Sequence, residues 1–326
     1  MQFWKKTVAL ISGGTSSERE ISLKSGKAVE NAIDSKKYKV RLYDPKTDLE
    51  KLASDAKKID VALIMLHGQG GEDGCIQGLL ELLNIPYQGS GVLSSALTMD
   101  KVASKRIYIE NGLPTPDFWI VSKTDTAGDL NTILNKLSLP IFVKPAKGGS
   151  SVGMSVVHDP SLLEKAVFTA FKEDDTVLLE IYISGREITV PVLGNSPVQA
   201  LPVVEIRPNP RHDFFTYEAK YQHGETAEIC PAEIDEQDTK RAQKLAIEAH
   251  KALGCRDYSR TDMILQSTGE ITILETNTLP GMTEASLLPK SAIAAGISMT
   301  ALITQLIEMA LSRKQKKRGK VSKKEK

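Results

Sequence analysis

Arg260, Asp262, Glu275 and Asn277 have the residue types to hold a hard cation beside a fixed positive charge. The stretches 261–266 and 270–276 both read as strands, with Thr268-Gly269 as a two-residue turn between them. That turn sets Asp262 opposite Glu275, Arg260 opposite Asn277 and, next on the same face, Ile264 opposite Ile273. Two carboxylates and an amide oxygen make poor packing material but a good oxygen site for Mg²⁺, which usually binds alongside substrate phosphates. A surface hairpin with two salt bridges is the plainer alternative.

A second chemical feature is Lys144-Pro145-Ala146-Lys147-Gly148-Gly149-Ser150-Ser151-Val152-Gly153, set between the apolar runs 139–143 and 152–157. Glycines let a backbone approach a ligand closely, and successive N–H groups form a concavity for anions. Two lysines and two hydroxyls suit a triphosphate. This is not a Walker loop, because no Gly-Lys-Ser/Thr runs into a helix. A flexible hairpin loop would look similar in isolation; the carboxylate–amide cluster downstream favours phosphate binding.

The elements that must position these groups fall into three segments and a tail. Residues 1–100 alternate strand and helix: strands at 7–11, 39–43 and 61–66, with helices after Ser17 and from Ile76. That order predicts a small parallel sheet with crossover helices, whose ligands sit beyond the carboxyl ends of the strands. The two ends carry Gly13-Gly14-Thr15-Ser16-Ser17-Glu18 and His67-Gly68-Gln69-Gly70-Gly71-Glu72-Asp73-Gly74. Residues 101–187 hold a helix from Asp100, the glycine loop and a strand at 176–181. Residues 188–312 hold the hairpin and helices at 235–253 and 299–311. Residues 313–326 form a tail of net charge +8, against −7 for the rest of the chain, and read as a disordered, solvated end.

Composition sets outer limits. With 41% apolar and 25% charged residues, the 326-residue chain can bury more than one core. No apolar run approaches the roughly 18 residues that span a bilayer, so no membrane insertion is expected. Cys75, Cys230 and Cys255 lie far apart without a CxxC, which points to a reducing, cytoplasmic setting and away from structural zinc. No Gly-x-Gly-x-x-Gly follows the first strand, which weighs against a dinucleotide enzyme, and no groove-reading motif suggests a nucleic-acid partner.

Six stretches, in order along the three segments, resemble the D-alanine–D-alanine ligases of the ATP-grasp superfamily. They are GGTSSERE (13–20), HGQGGEDG (67–74), MDK (99–101), GGSSVGM (148–154), YEAKY (217–221) and ETNTLPGMT (275–283). The resemblance implies an α/β fold of ATP-grasp type: an N-terminal Rossmann-like parallel sheet and two α+β lobes enclosing ATP. It implies that ATP phosphorylates one D-alanine carboxylate and that the amine of a second D-alanine displaces phosphate, giving a dipeptide for peptidoglycan synthesis. Such phosphoryl transfer depends on positioning and on cations that neutralise developing charge.

By the same resemblance, Asp262, Glu275 and Asn277 hold two Mg²⁺ ions, with Mn²⁺ as an alternative. Lys101 and Lys144 meet the α- and β-phosphates, Ser151 belongs to the phosphate loop, and Lys220 meets the γ-phosphate. Glu180, the backbone at Ile183, and Glu187 contact adenine and ribose. Residue 181 is isoleucine where many relatives carry a lysine that helps hold adenine. Glu18 pairs with the first D-alanine's ammonium, and His67 takes part in substrate binding, a packed histidine being the alternative. Arg260 and the Gly281 amide form an oxyanion hole. Ser286 and the Leu287 amide bind the second D-alanine's carboxylate. Tyr221, with Ser150 and Glu18, marks the branch that makes D-Ala–D-Ala rather than D-Ala–D-lactate, and residues 208–224 read as a covering loop. D-lactate or D-serine as second substrate is the nearest rival. The family's usual assembly is a homodimer.

Overall fold

A computed structural model describes residues 5–125, 127–134, 136–149, 152–209 and 226–322. The N-terminal part runs β1 (Lys6–Ile11), α1 (Arg19–Ala32), β2 (Tyr38–Tyr43), α2 (Leu49–Ser54), β3 (Val61–Ile64), α3 (Cys75–Leu82) and α4 (Val92–Met99). Its strands form a parallel sheet in the order β2-β1-β3, as the alternating pattern predicts. Val8–Ile11 and Val61–Ile64 are continuous apolar runs because helices cover both faces of a parallel sheet. All eight residues are essentially inaccessible to water.

Next come α5 (Lys101–Glu110), β4 (Phe118–Ser122), α6 (Ala127–Leu134), β5 (Ile141–Pro145), β6 (Ser155–Val157), α7 (Leu163–Ala170) and β7 (Thr176–Ile181). The four strands form an antiparallel sheet in the order β4-β7-β5-β6. Alternation divides its two faces. Val121, Ile141, Val143, Val177 and Leu179 join the helices α6 and α7 in one core. Phe118, Phe142, Lys144 and Glu180 fall on the other face.

The remainder holds β8 (Arg186–Leu193), β9 (Gln199–Ala200), β10 (Val204–Pro208), β11 (Thr226–Ile229), α8 (Glu236–Ala252), β12 (Tyr258–Leu265), β13 (Ile271–Asn277), α9 (Leu287–Ala294) and α10 (Met299–Ser322). The strand order is β11-β10-β8-β12-β13, with β9 on β8. The Asp235 carboxylate caps α8 by accepting from the Asp238 amide at 2.7 Å. Ala242, Ala246 and Ala249 then form the stripe that packs on β8, β12 and β13.

Helix α10 crosses back to the beginning of the chain. Leu302, Ile303, Leu306, Ile307 and Ala310 are fully buried in the core that holds β1 and β3. The helix also continues to Ser322, through most of the segment expected to be an unstructured tail. Lys, Arg and Gln are good helix formers, and Arg313 finds partners in the buried Asp257 carboxylate and the Tyr87 carbonyl. Among the described residues no single helix is long and apolar enough to cross a membrane.

Candidate active site

Strands β12 and β13 pair Asp262 with Glu275 and Arg260 with Asn277, as the hairpin reading expects. The route to that pairing differs. Gln266 bonds to Glu270, so the loop is Ser267-Thr268-Gly269, three residues with Gly269 at φ +86°, and not a two-residue turn. Register is restored by a bulge: Met263 faces Ile273 while Asp262 faces Glu275, leaving Leu274 without an opposite residue. The expectation that Ile264 and Ile273 share the ligand face is therefore overturned. Ile273 points into the core with Met263, Leu265 and Ile271, and Ile264 faces Thr272. The extra residue flips the strand's parity, so Glu275 and Asn277 face the cleft instead of following Ile271 and Ile273 into the core.

These residues line a cavity of about 510 Å³. Glu275, Asn277, Arg260 and Lys101 form one side, and Glu18 and His67 the other. Gly281, Ser286 and Leu287 complete the wall, so nine of the residues singled out in the sequence converge on one space. Asp262 stands at the edge, held by both arms of the Arg260 guanidinium at 2.8 and 2.7 Å and by the Thr189 hydroxyl. Lys101 Nζ is 3.8 Å from Glu275 Oε2 and donates to the Gly148 carbonyl at 2.6 Å. Among the described residues no three His, Cys, Asp or Glu side chains form a ready-made cage. An oxygen-only set of two carboxylates and an amide nonetheless fits Mg²⁺, which takes one or two carboxylates and completes its shell with phosphate and water.

Backbone conformation brings the loops close. Gly68 has φ +67°, and a Cβ there would sit 2.6 Å from Glu18 Oε2, so a side chain would be strained and would push the carboxylate aside. A Cβ on Gly149 would lie 3.0 Å from the same oxygen, so Glu18 stands between the glycine loop and the loop after β3. A Cβ on Gly281 would lie 2.9 Å from Ser286 Oγ, so this backbone is held against the start of α9. Ser286 precedes the first residue of that helix, where free N–H groups suit a carboxylate. Burial and Arg260 push the His67 imidazole down to about 4, so near neutral pH it is an uncharged ring, 3.3 Å from Ser25 Oγ.

The residues expected on the nucleotide side, Lys144, Glu180, Ile183 and Glu187, are not in the lining of this cavity. Glu180, only 2% exposed, has Lys144 Nζ 2.9 Å and Lys105 Nζ 3.0 Å from its Oε1. Burial alone would raise its carboxyl, but the two ammonium groups outweigh this and hold it below the usual carboxylate range. Ile183 lies in the connection after β7, and Glu187 lies on β8 opposite Ile264. Ile181 turns away from Glu180 into the central core. Ser150, Ser151, Lys220, Tyr221 and the covering loop from residue 210 on lie outside the described residues.

Comparison with known proteins identifies the family. Residues 44–90 match the model for the D-ala D-ala ligase N-terminus, and residues 107–308 match that for the C-terminus. The chain belongs to the D-alanine–D-alanine ligase family. It is 54% identical over 94% of its length to the D-alanine--D-alanine ligase of Syntrophobacter fumaroxidans, covering 98% of that protein. The Bacillus anthracis D-alanine--D-alanine ligase complexed with ATP superposes with a TM-score of 0.83 at 38% identity, covering 96% of this chain and 99% of that one. The VanG D-Ala:D-Ser ligase of Enterococcus faecalis superposes at 0.82 and 31% identity, with 94% and 100% covered. The ATP-grasp fold is thus established for this family member.

Two residues at the site of this family member escaped the sequence reading. Glu72 lines the cavity and accepts from the Gly68 amide at 2.7 Å. Withdrawal from water and the nearby Glu18 carboxylate push it up to about 8. Its signal was its place in HGQGGEDG, at a strand end. Lys105, completely buried, sits one helical turn beyond Lys101. Burial, partly opposed by Glu180, lowers its ammonium to about 8. The four-residue spacing of the two lysines was legible, but a lysine on a helix ordinarily faces solvent.

Proposed function

We propose that the chain joins two D-alanine molecules into D-alanyl-D-alanine at the expense of ATP, releasing ADP and phosphate. The observation that carries this reading is the bulge in β13. It aims Glu275 and Asn277 into the space that holds Glu18, His67, Arg260 and the start of α9. Cation-binding oxygens and substrate-binding groups therefore share one chamber. Asp262, Glu275 and Asn277 would hold Mg²⁺, which neutralises phosphate charge during transfer. Lys101 adds a cation on the same side.

The chain's own residues divide the rest of the work. Glu18 binds the ammonium of the first D-alanine and leaves its carboxylate directed at the phosphate donor. Ser286 and the Leu287 amide hold the second carboxylate at the start of α9. The second amine attacks the carbonyl carbon of the acyl phosphate, and the C–O bond to phosphate breaks. Arg260 and the Gly281 amide receive the negative charge that grows on the carbonyl oxygen, where preorganised donors count most. The same reading includes a homodimer acting in the cytoplasm, which light scattering on the eluted protein and cell fractionation would test.

The deciding experiment measures phosphate release from ATP and Mg²⁺ with D-alanine, L-alanine, or D-alanine plus D-serine or D-lactate, with mass spectrometry of the products. The expected result is release matched to D-Ala–D-Ala and confined to the D-isomer. Release without D-alanine, or a mixed product made in preference to the dipeptide, would overturn it.

A further inference from the structure

Lys105 has no part in the reaction as just described, yet it occupies a costly position. Its side chain has no exposure, and an ammonium so placed persists only with partners. The Nζ donates to Thr115 Oγ1 at 2.7 Å, stands 3.0 Å from Glu180 Oε1 and lies 5.5 Å from the centre of the Phe118 ring. These partners connect two sheets. Glu180 is on β7 of the central sheet, while the Thr115 hydroxyl donates to the Ile273 carbonyl of β13 at 3.0 Å. The Pro114 carbonyl accepts from the Ile273 amide at 2.8 Å, and Tyr108, also on α5, donates to Thr276 Oγ1 at 2.8 Å. One ammonium thus ties the strand bearing Glu180 to the strand bearing Glu275 and Asn277.

The charge balance around Glu180 carries the argument further. Two buried ammonium groups share one carboxylate oxygen, at 2.9 and 3.0 Å. A single buried carboxylate needs one counter-ion, so the second is available for another anion. Lys144 is the next-to-last residue of β5, and of the two it is the one next to the glycine loop. Without Lys105, Lys144 could not turn to a phosphate without stranding a buried carboxylate, which is strongly unfavourable.

We propose that Lys105 is a positioning residue for the nucleotide: it serves as the standing counter-ion of Glu180, so that Glu180 stays an anion fixed towards the base and Lys144 is released to the phosphates. This rests on the nucleotide roles proposed for Glu180 and Lys144. A carboxylate is acceptor-only, so it favours adenine, whose exocyclic group is an N–H donor, over guanine, which presents an oxygen there. Lys105 therefore acts on base selection without touching the base.

The test uses the full-length protein, calorimetric titration with ATP and with GTP in the presence of Mg²⁺ but without D-alanine, and steady-state kinetics. Lys105→Met should weaken ATP binding by about 10- to 100-fold, the range for loss of a charged hydrogen bond. The ratio of ATP to GTP affinity should fall, and KM for ATP should rise by more than kcat falls. Adding Glu180→Gln to Lys105→Met should recover part of the ATP affinity by freeing Lys144, without recovering the preference for ATP. Thr115→Val should move affinity in the same direction by a smaller factor, and it decides the matter if Lys105→Met does not fold. A folded Lys105→Met protein with unchanged nucleotide affinity and unchanged ATP preference would overturn the proposal. So would unchanged ATP affinity in Thr115→Val when Lys105→Met is unfolded. Wild-type phosphate release with D-alanine reports separately on the ligase reading, because the titrations contain no amino acid.

Discussion

The parallel sheet at the start of the chain and the two antiparallel sheets that follow solve the same problem differently. In β1 and β3 every residue from Val8 to Ile11 and from Val61 to Ile64 is committed to packing, so chemistry is confined to the loops beyond the strand ends. Glu18 and His67 lie in those loops. In the antiparallel sheets one face packs under helices and the other carries polar groups, so Lys144, Glu180, Asp262, Glu275 and Asn277 sit on the strands themselves. A group at a strand end is placed by loop conformation. A group on a strand face is placed by register, and one residue more or less reverses its direction.

The contrast predicts that function and stability separate by region. The largest effect should come from Glu275→Gln on the strand face: a loss of about 10²- to 10³-fold in kcat, the size found when a preorganised charge stabiliser is removed. Its thermal melt should stay close to wild type, because Glu275 is partly exposed and outside every core; an equal loss of stability and rate would collapse the distinction. Leu10→Ala in the parallel sheet should do the reverse. It should cost about 2–5 kcal/mol in urea unfolding while leaving KM for D-alanine unchanged in the folded fraction.

Histidine titration sharpens the comparison. His250, buried on α8 with its Nδ1 2.7 Å from Ser259 Oγ, is pushed by burial down to about 4 from an ordinary 6.5. In that window the unfolded chain binds the extra proton, so the folded state loses stability as pH falls. The advantage of wild type over His250→Gln should therefore be complete above pH 6.5 and shrink towards pH 4; a pH-independent difference in urea midpoints would sink the idea. The smallest effect should come from Gly269→Ala in the β12–β13 loop. Its φ of +86° should make alanine cost about 1 kcal/mol in unfolding, with kcat unaffected.

The sequence disclosed the order of elements well, because apolar runs and strand-end glycines are local signals. The pairs Asp262–Glu275 and Arg260–Asn277 were legible although the hairpin departs from the simplest one at two places that offset each other. The loop has one residue more than assumed, and the bulge at Leu274 restores the register. Neither is visible in composition, because a bulge is settled by what the strand packs on at each end. The role of α10 was illegible for a different reason. Its apolar stripe shows that it must be buried, but not that its partner is the first sheet, some 290 residues earlier. Lys105 shows the same limit, since its partners at 115 and 180 come together only when two sheets and a helix meet. Ile181 resolves more simply: it faces a core, so its apolar character suits its surroundings there.

The bulge also makes Leu274 a spare residue, one more than the ladder with β12 needs. Many side chains could stand there, because no residue lies opposite it in the ladder. Its removal would close the bulge into a regular ladder, with Glu275 still opposite Asp262, Asn277 still opposite Arg260 and both still facing the cleft. A substitution scan of the gene would pass over codon 274 almost silently. A scan of single-codon deletions would pass over it too and stop at codon 276, where no spare residue absorbs the loss and Asn277 would turn into the core; that contrast is the genetic signature of slack in one strand.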